Sequence, residues 1–169
     1  MKRILIVEDE PDIQELLCAY LQDAGYETET AGDGVEALDR FRAQAFDLVL
    51  LDVKQADSER HRALTGRENA QTLRTAAWLE AHGKPFWLRY VLVPGISDAE
   101  ADIRALGERL GGYKSVERVE LLPYHTLGVH KYEAMGLEYK LRDVRENTPE
   151  QLDRAAALLR EYFPTVVVN

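Results

Sequence analysis

The run Ile4-Leu5-Ile6-Val7 is short, wholly apolar and followed at once by three acids, Glu8, Asp9 and Glu10. An apolar run of that length fits a strand buried on both faces, and such strands belong to parallel sheets covered by helices. Pro11 then opens a helix, because the N–H that proline lacks has no partner at the first helical position. Ile13, Leu16, Leu17, Tyr20 and Leu21 share one helical face, and Gly25 ends the helix. Strand and helix continue to alternate along the chain. Tyr26–Thr30 is a polar strand suited to a sheet edge. Asp33 and Gly34 lead into a second helix carrying Val35, Leu38 and Phe41, and a strand follows over Leu48–Val53. Thr65 and Glu68, Ser97 and Glu100, and Thr148 and Gln151 each have the spacing of a capping box. They predict helices over 67–81, 98–110 and 149–162. Phe86–Val93 and Val116–Leu122 are rich in Val, Leu and aromatics and read as strands, with Val166–Val168 as a last short one. The segment 124–147, with Gly128 and Gly136, reads as a long loop with a short helical turn.

Right-handed helical crossovers between such strands give an α/β fold with a single open, doubly wound parallel sheet. The expected arrangement is flavodoxin-like, order 2-1-3-4-5, with an extra strand at the edge. Five or six strands are too few for a closed eight-stranded barrel. The 169 residues suffice for one well-buried core, and the net charge of -9 argues against a nucleic-acid partner. Cys18 is the single cysteine, so the chain forms no internal disulfide and holds no cysteine-ligated zinc or iron–sulfur cluster. Its helical position marks it as core. Charge follows the first apolar run too closely for a signal peptide, and no run is long enough to cross a membrane. The expected setting is cytoplasmic and reducing. His61 and His82 read as surface residues, and Trp78 and Trp87 as parts of the core and its rim.

Residues 1–53 resemble a response-regulator receiver domain. The resemblance is carried by Ile4-Leu5-Ile6-Val7-Glu8-Asp9-Glu10, by Ala31-Gly32-Asp33-Gly34-Val35-Glu36-Ala37-Leu38 and by Asp47-Leu48-Val49-Leu50-Leu51-Asp52. It implies Glu8, Asp9 and Asp52 as ligands of a magnesium ion and Asp52 as phospho-acceptor. The chemistry is sound independently of the family. Carboxylates gathered at the carboxyl edge of a parallel sheet repel one another, and a hard cation relieves that repulsion. The same cation would neutralise a transferred phosphoryl group. Two parts of the pattern are absent. The fourth strand ends Leu92-Val93-Pro94, with Ser97 only later, and the fifth ends Leu122-Pro123-Tyr124-His125 without a lysine. Regulated phosphotransfer is therefore not expected, and weak cation binding is.

Residues 47–169 resemble the carboxyl-terminal part of a pyruvate formate-lyase activating enzyme, a radical S-adenosylmethionine family. The matching stretches are Asp47–Gln55, Trp87-Leu88-Arg89-Tyr90-Val91-Leu92-Val93-Pro94-Gly95, Glu120–Gly128 and Lys131–Gly136. The resemblance implies that Lys54, Arg89 and His125 remain from a cofactor pocket, with Asp52 nearby. Radical chemistry requires three closely spaced cysteines, and Cys18 stands alone. His130 falls inside the match, and no metal role is implied for it or for His125. Lys54 is expected to pair with Asp52.

The two resemblances meet in the strand 46–54, with no Gly/Ser/Pro linker. The chain therefore reads as one chimeric domain over 1–169, built from a fragment 1–53 and a fragment 54–169. The favoured expectation is an engineered fold chimera that retains neither parental activity and is not an enzyme. It requires no cofactor and has no evolved partner. The expected state is a monomer, with pairing of a second copy at the edges Tyr26–Thr30 or Val166–Val168 as the route to a dimer. Two alternatives are a phospho-accepting module using Asp52 and a residual S-adenosylmethionine or nucleoside binder.

Overall fold

Each apolar run identified in the sequence forms a strand. A computed structural model describes residues 2–8, 11–43, 45–66, 68–126, 141 and 143–169. The strands are β1 (Arg3–Val7), β2 (Glu27–Ala31), β3 (Leu48–Asp52), β4 (Phe86–Leu92), β5 (Val116–Pro123) and β6 (Val166–Val168). They form one six-stranded parallel sheet in the order β2-β1-β3-β4-β5-β6. This is the open flavodoxin-like arrangement expected, with β6 added at the edge. The sheet passes through the junction without a break. β3 pairs with β1 on one side and with β4 on the other.

The described helices are α1 (Pro11–Asp23), α2 (Gly34–Ala43), α3 (Ser58–Thr65), α4 (Ala70–Ala81), α5 (Glu100–Leu110) and α6 (Pro149–Arg160). They divide unevenly between the two faces. Leu5, Val7, Val49, Leu51, Phe86, Leu88, Tyr90, Val119 and Leu121 form the main core with residues of α2, α4, α5 and α6. On the opposite face Ile4, Ile6 and Leu50 form a smaller cluster with Leu17, Cys18 and Leu21 of α1, and with Trp87. β4 shows the consequence: Phe86, Leu88, Tyr90 and Leu92 are buried, while Trp87, Arg89 and Val91 are only half-buried. A parallel strand packed fully on one face and loosely on the other has room for polar side chains on its second face.

Several local expectations need correction. Thr148 and Gln151 do form the predicted capping box at the start of α6. Thr65 does not cap a helix. It is the last residue of α3, which ends at Gly66 in a left-handed conformation with φ 79°. Ser97 does not cap α5 either. Its hydroxyl donates to Val91 O at 2.8 Å and accepts from Val93 N at 2.8 Å, so it stitches the end of β4. His61 is buried rather than on the surface, and lies within hydrogen-bond reach of Thr65 Oγ1. Leu16 and Tyr20 lie on the expected apolar face of α1 yet are exposed. The stripe is wider than the narrow cluster it covers. Most of the loop expected over 124–147 lies outside the described residues.

Two close helix crossings position the main layer. α2 and α4, one before β3 and one after it, meet at Gly34, where an added Cβ would lie 2.4 Å from Thr75 Oγ1 and 2.9 Å from Gln71 O. α5 meets the end of α6 at Gly107, against the ring of Tyr162.

Candidate functional site

In parallel sheets the strands' carboxyl ends converge at one edge, and ligands bind there. Register fixes which side chains meet at that edge. Val7 pairs with Leu51, so Glu8 and Asp52 lie one step further along neighbouring strands. Asp52 pairs with Arg89, and Arg89 pairs with Glu120. Glu8, Asp52, Arg89 and Glu120 therefore form a transverse row over four strands. They share the face of Ile6, Leu50 and Trp87, away from the four-helix layer.

The row is dense in charge and shielded from solvent. The Glu8 side chain is 1% exposed, that of Asp52 8% and that of Arg89 12%. Lys54 Nζ lies 3.2 Å from Glu8 Oε1. Arg89 stands between two acids, with Nη1 3.4 Å from Asp52 Oδ1 and Nε 3.7 Å from Glu120 Oε2. Arg118 approaches Glu120 at 3.7 Å and covers the Trp87 ring at 4.0 Å from its centroid. Well-formed charge-assisted hydrogen bonds are about 2.7–2.9 Å long, so the Arg89 contacts are loose. Asp52 Oδ1 and Arg89 Nε, both buried, have no hydrogen-bond partner among the described residues. Lys54, Arg89 and Arg118 together match the three acids in charge, but hydrogen-bonding capacity is left unused.

Lys54 takes Glu8 as its partner, where the sequence suggested Asp52, and Asp52 takes Arg89. Among the described residues no three His, Cys, Asp or Glu side chains gather as a metal site. Asp9 and His130 lie outside the described residues. His125 is exposed, two residues past the end of β5, at the same carboxyl edge. Cys18 is half-buried on α1 and packs against Ile4, Ile6 and Leu50.

Sequence reasoning missed Glu120 and Arg118 as members of this row. Their signal was present in Val116-Glu117-Arg118-Val119-Glu120-Leu121: charges at positions 118 and 120 alternate with buried residues at 119 and 121. A second cluster, also missed, lies under α3. Arg60 pairs with Asp102 in the first turn of α5, and Tyr90 OH donates to Ser97 O at 2.8 Å. Burial, and then the nearby Asp102 carboxylate, push the Tyr90 phenol well above its ordinary range.

Comparison with known proteins finds likeness to two families along the one sheet. The family model of the response regulator receiver domain matches residues 4–77. The pyruvate formate-lyase-activating enzyme of Streptococcus mutans is 42% identical over 113 residues, 67% of this chain and 43% of that protein. The enzyme of the same name from Staphylococcus epidermidis is 44% identical over 109 residues, 64% of this chain and 43% of the relative. The chain is similar to two families at once. A match to residues 4–77 and one of 113 residues cannot both fit in 169 residues without sharing some. The receiver match also runs past residue 53, through α3 and into α4.

The chain spans less than half the length of these curated relatives. They are named for an enzyme, and this corrects the expectation that the chain is not one. Among solved structures, a domain of pyruvate-formate lyase-activating enzyme from Bacteroides vulgatus superposes with a TM-score of 0.70 at 19% identity. It covers 100% of this chain and 99% of its own, and shows the fold alone. The N-terminal domain of a response regulator receiver protein from Methanoculleus marisnigri gives a TM-score of 0.50 at 25% identity, covering 80% of this chain and 94% of its own. No described helix is long and apolar enough to cross a membrane.

Proposed function

We propose that the row at the carboxyl edge binds the amino-acid end of S-adenosylmethionine, as the half-site that this chain shares with activating enzymes. The carrying observation is the buried row Glu8–Asp52–Arg89–Glu120 with Asp52 Oδ1 and Arg89 Nε left without hydrogen bonds among the described residues. A zwitterionic amino acid presents one ammonium and one carboxylate. Asp52 and Glu120 suit the first, and Lys54 and Arg89 suit the second. His125, exposed two residues past the end of β5, is assigned to the nucleoside in this reading. The curated relatives support this choice of ligand by family likeness.

A cluster for radical chemistry is held by closely spaced cysteine thiolates. Cys18 supplies one thiolate on a helix packed against β1 and β3, so the donor set of this chain does not fit the group. No reaction step is assigned through it. The likeness to two unrelated families within one continuous sheet supports the reading that the chain was built by joining two fragments. Calorimetric titration with S-adenosylmethionine tests the binding. Saturable heat that weakens in His125→Ala and Lys54→Gln is expected. No saturable heat at millimolar ligand refutes the proposal.

A second reading makes Asp52 a phospho-acceptor, favoured by the receiver match over residues 4–77. Arg89 already engages its carboxylate, and the side chain is nearly buried. Incubation with a small acyl phosphate and magnesium, followed by intact mass, decides it. Added phosphoryl mass that is lost in Asp52→Asn would support it, and an unchanged mass would end it.

A further inference from the structure

α3 was invisible to the sequence reading and has an unusual set of attachments. It is eight residues long, mostly polar, and contributes no residue to either apolar cluster. A helix this short is not stable by itself in water. Local caps keep it formed. Asp57 accepts from Arg60 N at 2.9 Å, and Gly66 N closes on Arg62 O at 2.8 Å. Neither cap fixes where the helix sits.

Besides the buried His61 ring, two polar contacts set its position. At the base, the Asn69 side chain donates to Gln55 O at 3.0 Å and to Ala56 O at 2.9 Å. Asn69 and Gln55 are both buried, so the entry and exit of the excursion are pinned together. At the free side, Arg60 reaches across to the β4–α5 connection. Its guanidinium pairs with Asp102 and donates to Ile96 O at 3.2 Å. Asp102 is 95% buried and Arg60 about half-exposed. α3 thus bridges from the carboxyl end of β3 to that of β4.

We propose that α3 is a hinged strap over the carboxyl edge, pinned at Asn69 and latched by the Arg60–Asp102 pair. Releasing the latch lets residues 57–66 swing away while the sheet stays folded. The Arg60 side of the latch is half-exposed, so dissolved ions weaken the pair, though less than they would a fully exposed one. The pinned base survives release, because its bonds join Asn69 to backbone carbonyls and involve neither latch residue.

Hydrogen exchange followed by mass spectrometry on the full chain tests this. In Asp102→Asn and in Arg60→Gln, amides of 57–66 should exchange about ten-fold faster than in the parent, with β3, α4 and α5 unchanged. The double variant should exchange no faster than either single one. Added salt should speed exchange of 57–66 in the parent and leave Asp102→Asn unaffected. The proposal is overturned if 57–66 keeps its protection in both single variants. It is overturned equally if α5 loses protection along with α3, because Asp102 would then be serving α5 alone.

Discussion

Replacing Gly34 by alanine tests whether the elements before and after β3 share one packed layer. Gly34 opens α2, which precedes β3, and its neighbours Gln71 and Thr75 belong to α4, which follows it. The added methyl would stand 2.4 Å from Thr75 Oγ1, 2.9 Å from Gln71 O and 3.0 Å from Gln71 Cγ. Thr75 is buried, β-branched and tied through its hydroxyl to Gln71 O at 3.1 Å, so it cannot turn aside cheaply. The Gln71 carbonyl is helix backbone. Relief must come from separating the helices, and overpacking of this kind costs about 1–3 kcal/mol. The contact from Thr75 Oγ1 to Gly34 O at 3.4 Å would weaken too, worth about 1 kcal/mol at most. Alanine recovers up to about 1 kcal/mol over glycine in a helix. The net expectation is a loss of about 2 kcal/mol. With a guanidinium slope of about 4 kcal/mol per molar, the midpoint falls by about 0.5 M. The fluorescence of Trp78 and Trp87, both in the second fragment, reports the transition. Gly32→Ala serves as control, since its nearest contact would be an ordinary 3.6 Å. A Gly34→Ala midpoint equal to or above the parent's would refute the crossing and the shared layer.

Arg89→Met removes the cation between Asp52 and Glu120, and breaking a buried pair in this way costs about 3–5 kcal/mol. Chemical denaturation checks it, and Arg89→Met with Asp52→Asn should recover part of the loss; a single-variant cost below about 1 kcal/mol would mean the row contributes little. Thr148→Ala removes the cap of α6 and should cost about 1 kcal/mol by thermal or chemical melting. The Ser115 amide foremost, with help from Lys114, holds the Glu80 carboxyl below its ordinary value of 4.5. A depressed carboxylate stabilises the fold above its unfolded value, and the benefit is lost as pH falls through the folded one. The parent's stability advantage over Glu80→Gln should therefore be full near neutral pH and shrink below about pH 4.5; an advantage independent of pH would contradict the role given to Glu80.

The sheet was legible because parallel strands leave a strong trace. Ile4–Val7 and Leu48–Leu51 are continuous apolar runs, and 86–92 is a Leu- and aromatic-rich run broken only by Arg89. The uneven layering was not legible, because the helical stripes do not say which face of the sheet they cover. Leu16 and Tyr20 have the right spacing to be core and are exposed, since α1 meets only a small cluster of strand residues. α3 escaped notice because Ser58-Glu59-Arg60-His61-Arg62-Ala63-Leu64-Thr65 carries almost no apolar period. It is held by caps, by the Asn69 bonds at its base, by the buried His61 and by the Arg60–Asp102 pair. The false capping boxes at Thr65 and Ser97 show the limit of a spacing rule. Both hydroxyls found backbone partners elsewhere, Thr65 at His61 O and Ser97 at Val91 O. The site was partly legible. Glu8, Asp52, Lys54 and Arg89 do meet at the carboxyl edge. Their pairing depended on register, which places Arg89 between Asp52 and Glu120.

The central claim is that one cooperative sheet runs through the junction in β3. Equilibrium unfolding in guanidinium, followed on one sample by far-ultraviolet circular dichroism and by tryptophan fluorescence, tests it most directly. Circular dichroism senses both fragments, whereas Trp78 and Trp87 report the second alone. The continuous pairing of β1, β3 and β4 predicts two superimposable single transitions. Separated midpoints, or a sloping dichroism curve beside a sharp fluorescence one, would show that the fragments unfold independently and would contradict the account.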